Sequence, residues 1–121
     1  PTIEALKDFQ AKAYFKPREL PDSIWLAALE RTKKSEVPRI REAQTEADFL
    51  DGKLSRLKTP IFYFHGDSDR IVPEEYAKSL VSQISGVGTR LYKLKECGHM
   101  PQKECPEQLL SEMKRLGLLP R

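Results

Sequence analysis

Asp69 and His99 are the residues of this sequence best suited to moving a proton together. Each lies a few positions beyond a short apolar run. Ile61-Phe62-Tyr63-Phe64 leads into His65-Gly66-Asp67-Ser68-Asp69, and Thr89-Arg90-Leu91-Tyr92-Lys93-Leu94 leads into Cys97-Gly98-His99. A carboxylate that accepts from imidazole Nδ1–H fixes the tautomer and stabilises the imidazolium. Nε2 is then free to take a proton from a nucleophile. Spacing alone also admits a plainer reading. A histidine in a glycine-containing loop is often just exposed, and Asp-Ser-Asp is ordinary turn chemistry.

Such a pair works only if the chain brings its two loops together. The apolar run before His65 is rich in β formers, and Thr89–Leu94 alternates, so both read as strands. Between them Pro73 starts a helix carrying Ala77, Leu80, Val81 and Ile84 on one side, and Gly86 and Gly88 break it. Pro106 opens a last helix with Leu109, Leu110, Met113 and Leu116 facing inward. A strand, a crossover helix and another strand imply a parallel pair. Ligand-facing groups of a parallel sheet lie beyond the carboxyl ends of the strands, where both loops fall.

The chain before residue 59 has a different period. Thr2 can cap a helix with Ile3, Leu6, Phe9 and Ala13 on one face. Asp22 opens a second helix with Ile24, Trp25, Ala28 and Leu29 on one face. A third is expected from about Pro38 to Asp51, striped by Ile40, Ala43, Ala47 and Leu50 and ended by Gly52.

Composition narrows the partners. At 121 residues and 13.9 kDa the chain has the size of one domain. Its 21 Lys+Arg and 18 Asp+Glu leave a net charge of +3 with no basic arm, so nucleic acid is not the expected partner. No apolar run approaches bilayer length, so neither an integral membrane segment nor an uncleaved signal peptide is expected. Two cysteines are too few for a disulfide framework, and Cys97 and Cys105 read as a reduced pair in a cytoplasmic protein. His65, Cys97, His99 and Cys105 are all of the His and Cys present. Cys-x-His-x5-Cys fits no familiar short zinc pattern, so no metal is expected, and no organic cofactor is implied.

Residues 59–73, with their buried strand, Gly-x-x-Asp, two apolar residues and Pro, resemble the acid-bearing strand and loop of α/β-hydrolases. Cys97-Gly98-His99-Met100-Pro101, followed by Glu104-Cys105-Pro106-Glu107, is similar to their histidine loop and the start of their last helix. The resemblance implies that Asp69 is the catalytic acid and His99 the general base. Asp67 is the fallback acid, better suited to capping the turn. His65 reads as packing and Arg70 as a surface or rim charge. Residues 1–53 more loosely resemble the helical lid of esterases and monoacylglycerol lipase-like proteins. Phe9, Tyr14, Phe15, Trp25 and Phe49 are then candidates to line an apolar channel, although most of them are expected simply to hold the helices together.

The expected fold class is therefore α/β: a partial α/β-hydrolase fold with a helical lid over 1–53 and a βαβα core over 54–121. The resemblance implies a small-molecule ester or acyl substrate cleaved by a Ser-Asp-His triad. Yet no serine here lies in Gly-x-Ser-x-Gly, and Ser85-Gly86-Val87-Gly88 ends a helix instead of following a strand. The expectation is a C-terminal portion whose nucleophile lies outside these residues and which is inactive alone. Its partner would be the missing N-terminal part of the fold, or a second copy met through an exposed sheet edge. Alternatives are the epoxide hydrolase, dehalogenase or C–C bond hydrolase chemistries that use the same acid–histidine pair. A non-catalytic interaction protein retaining the fold, or an independent small module, is the alternative outside enzymes.

Overall fold

A computed structural model describes residues 1–50, 52–84, 86 and 88–119. Three helices come first: α1 (Ile3–Ala13), α2 (Asp22–Lys33) and α3 (Val37–Ala43). Short 3-10 turns at Glu46–Asp48 and Leu54–Arg56 lead to β1 (Phe62–Gly66), α4 (Glu74–Gln83), β2 (Arg90–Leu94), α5 (Pro101–Glu104) and α6 (Pro106–Arg115). Among the described residues no helix is long and apolar enough to cross a membrane.

Local chemistry explains most of these boundaries. The Thr2 side chain accepts from Ala5 N at 3.2 Å and so satisfies an otherwise orphan donor at the start of α1. The expected third helix is much shorter than the 38–51 stripe. Thr45 N and Oγ1 both donate to Asp48 Oδ2, at 2.9 and 3.0 Å, which starts a separate 3-10 turn. Nothing tertiary opposes that break, because α3 buries no residue. Asp51 lies outside the described residues, as do Ser85 and Val87 of the glycine-rich stretch.

The strands pair in parallel, with Phe62 opposite Arg90 and Gly66 opposite Leu94. β1 continues two residues beyond the expected Ile61–Phe64 run, through His65 and Gly66. Glycine at 66 permits this, since a Cβ there would collide with the carbonyl oxygens of Cys97 and Gly98. Leu94 and Cys97 are fully buried. Glu74 carries the crossover helix onto β2, accepting from Lys93 Nζ and Lys78 Nζ, each at 2.8 Å.

The core of this stretch is small. Ala13, Trp25, Leu54, Ala77, Ile84, Leu94 and Cys97 are its buried apolar residues, while Leu26, Ile40, Leu50 and Tyr76 are more than half exposed. The close approach at Gly66 therefore matters. Gly66→Ala is expected to cost about 3 kcal/mol by forcing the histidine loop off the strand end. An unchanged urea midpoint would refute this.

Candidate active site

Asp69 and His99 meet. His99 Nδ1 lies 2.9 Å from Asp69 Oδ2, and the other carboxylate oxygen accepts from Ile71 N at 2.8 Å and Val72 N at 3.0 Å. The Asp69 side chain is only 5% exposed, whereas that of His99 is 33% exposed. Among the described residues, His99 Nε2 has no hydrogen-bond partner. One face of the imidazole is thus held and the other is open to a reactant.

Backbone contacts between the two strand-end loops set this geometry. Asp67 N donates to Leu94 O and Ser68 N to Cys97 O, each at 2.9 Å, so the turn after β1 lies against the turn after β2. His99 N in turn donates to Ala13 O at 2.7 Å, fixing the histidine to the last turn of α1. Burial pushes the Asp69 carboxyl up. The Val72 amide, His99 and the Ile71 amide together outweigh it and hold the group below the usual carboxylate range.

The structure separates the two candidate acids. Asp67 is exposed and accepts from its neighbour Ser68 Oγ at 2.9 Å, away from His99. Arg70 is exposed at the rim, as expected, and its Nη2 donates to Tyr14 O at 3.3 Å. His65 is buried as a packing residue, against Tyr63, but it also places Nδ1 4.0 Å from Asp69 Oδ2. Both imidazoles therefore face the same oxygen of Asp69, His99 at hydrogen-bond distance and His65 farther off.

The residue that the sequence reading overlooked is Glu104. Its Oε2 accepts from Phe15 N at 2.7 Å, and its Oε1 accepts from Gly98 N at 3.0 Å and Met100 N at 3.4 Å. One carboxylate thus ties the first segment to both neighbours of His99. An acidic residue in a turn between two prolines was the available signal, but spacing could not name its donors.

The cysteines require a correction. Cys97 and Cys105 are disulfide-bonded, not reduced, with Cα atoms 6.0 Å apart. The turn through His99 and α5 doubles the chain back, which brings the two Cβ atoms within bonding range. Both sulfurs are engaged with each other, and among the described residues no cluster of three or more His, Cys, Asp or Glu could hold a metal.

The aromatics of the first segment scatter. Trp25 is buried between α1 and α2, while Phe9 and Phe49 are about half exposed. Tyr14 comes near the pair through a neighbour, its hydroxyl lying 3.3 Å from the sulfur of Met100, the residue after His99. Phe15 borders a cavity of about 770 Å³ that neither Asp69 nor His99 lines.

The helical segment, parallel strand pair and acid and histidine at the strand ends make up a partial α/β-hydrolase fold. No family model matches the sequence, and no curated protein does. Among solved structures it is similar to 2-hydroxy-6-oxo-6-phenylhexa-2,4-dienoate hydrolase (BphD) from Rhodococcus sp. strain RHA1. Identity is 25% and the TM-score 0.69, with 97% of this chain matched to 45% of that one. The chain thus spans less than half the length of that neighbour.

Two outcomes follow from the site. Asp69 is held below its unfolded value, so it contributes stability that is present above about pH 4 and is lost as the pH falls below that, through the folded value. Asp69→Asn should therefore be less stable at neutral pH, yet lose less on acidification. Urea midpoints across this range check it, and parallel pH curves for the two proteins would refute it. Glu104→Ala leaves three backbone donors without their acceptor and should cost about 1–3 kcal/mol. Amide exchange should accelerate first at Phe15, Gly98 and Met100, and uniform acceleration along the chain would contradict the assignment.

Proposed function

We propose that this chain is the acid- and base-bearing part of a hydrolase acting at a carbonyl carbon. The observation that carries this reading is the Asp69–His99 hydrogen bond at the ends of adjacent parallel strands, with Nε2 left open. Asp69 orients the imidazole and stabilises its cation. Nε2 accepts the proton of a serine supplied from outside residues 1–121, as that serine attacks the substrate carbonyl. The imidazolium then protonates the leaving group, and the imidazole next activates the water that releases the acyl product. Residues 1–53 serve as a lid over the strand ends, and further strands complete the sheet beside β1 and β2.

An ester is the first bond to test, since an alkoxide leaving group needs only the proton that His99 returns. The structural neighbour favours a second substrate class. A 2-hydroxy-6-oxo-6-phenylhexa-2,4-dienoate contains no ester, so its hydrolysis breaks a carbon–carbon bond beside the ketone. The same acid–histidine pair serves that reaction, with a carbon leaving group in place of an alkoxide.

The test uses a polypeptide that contains residues 1–121 together with a Gly-x-Ser-x-Gly turn, assayed on a p-nitrophenyl ester and on a hydroxy-oxo-dienoate. His99→Ala should lower kcat on the accepted substrate by about 10³-fold or more, and residues 1–121 alone should be inactive. Full activity in His99→Ala would remove the assignment. Hydrolysis by residues 1–121 alone would show that the serine need not come from elsewhere.

A further inference from the structure

The cavity of about 770 Å³ lies between the end of α1, the loop that follows it, the turn after β2, the end of α5 and the start of α6. Lys16, Arg18, Lys95 and Lys103 border it, against Glu96 and Glu104. Glu104 is already engaged by three backbone N–H groups. Among the described residues no carboxylate pairs with Arg18, Lys95 or Lys103, and the Lys16 ammonium rests over the Phe15 ring at 5.2 Å. The cavity therefore carries an excess of uncompensated positive charge.

Cys105 borders this same cavity, while its disulfide partner Cys97 is completely buried. One end of the disulfide thus meets a cationic cavity and the other is closed to solvent. Attack on a disulfide needs access to one sulfur, and the reacting species is an anionic thiolate. Positive potential raises the local concentration of such anions.

We propose that Cys105 is a thiol-exchange site for an anionic low-molecular-weight thiol of the glutathione class, drawn in by Lys95, Lys103, Lys16 and Arg18. The incoming thiolate attacks Cys105 Sγ. Its electron pair forms the new S–S bond as the Cys97–Cys105 bond breaks, and the pair from that bond leaves on Cys97 Sγ, which takes a proton from water. A second thiolate then attacks the small thiol's sulfur in the mixed disulfide and releases Cys105 as a thiolate. Two small thiols are oxidised to their disulfide and one protein disulfide is reduced. The site is separate from the Asp69–His99 pair and does not depend on the hydrolase reading.

The test treats the oxidised protein with reduced glutathione, 2-mercaptoethanol or cysteamine at equal thiolate concentration, with acid quenching and mass-spectrometric mapping. Glutathione should form its adduct on Cys105, at least ~5-fold faster than cysteamine, with mercaptoethanol between them. The preference should shrink in ~0.5 M salt, and in Lys95→Gln/Lys103→Gln, which alters two exposed side chains outside the acid–histidine pair. In Cys97→Ser, oxidised glutathione should label Cys105 stably and with the same dependence on the two lysines. The proposal is overturned by adducts on Cys97, by no adduct at all, by equal rates for the three thiols, or by a preference that survives both lysine exchanges. No readout involves hydrolysis, so failure here and failure of the hydrolase assignment are separately visible.

Discussion

The site depends on how one carboxylate is divided. Asp69 sits in a tight turn whose own amides, at Ile71 and Val72, take one oxygen and so fix the direction of the other. That second oxygen receives His99 Nδ1. A carboxylate engaged on one side only could rotate and lose the histidine. Engaged on both, it converts the register of two strands into the orientation of an imidazole. The arrangement also accounts for the charge state. Burial alone would favour a neutral acid, and the two amides with His99 reverse that balance.

A second set of contacts fixes the other partner. His99 is held through Ala13, and its neighbours Gly98 and Met100 are held through Glu104. The Cys97–Cys105 bond closes the loop around them. Glycine at 98 is required by this crowding. A Cβ there would meet Ala13 O, would lie 2.7 Å from Glu104 Oε1 and would lie 2.9 Å from Phe15 N. The glycine of the Gly-His dipeptide is therefore a packing requirement, because the loop runs directly beneath the end of α1.

The sequence made the order of elements legible wherever a cap or a period marked them. Thr2, Asp22, Pro73 and Pro106 each stand at or beside an observed helix start. The alternation of Thr89–Leu94 corresponds to β2. Reading failed where the deciding contact was remote. The stripe through Ile40 and Leu50 suggested a long helix, but no neighbour buries it and the Thr45–Asp48 contact ends it. The choice of Asp69 over Asp67 followed the motif, and it is Asp69 whose carboxylate lies 2.9 Å from His99 Nδ1. The role of Glu104 and the disulfide were not legible, because both depend on how the chain folds back after His99. His65 was legible as a buried residue but not as a neighbour of the acid.

The stitching of Ala13 and Phe15 to the histidine loop has a mechanical consequence. α1 cannot lift without pulling on the amide of His99, and α2 is coupled to α1 through buried Trp25. Displacement at low cost is left to the stretch beyond Lys33, where α3 has no buried side chain to give up. The helical segment is therefore anchored through α1 and α2, while α3 adds no buried side chain to that anchorage. A force applied to α1 would therefore reach His99 through a single backbone hydrogen bond, from His99 N to Ala13 O.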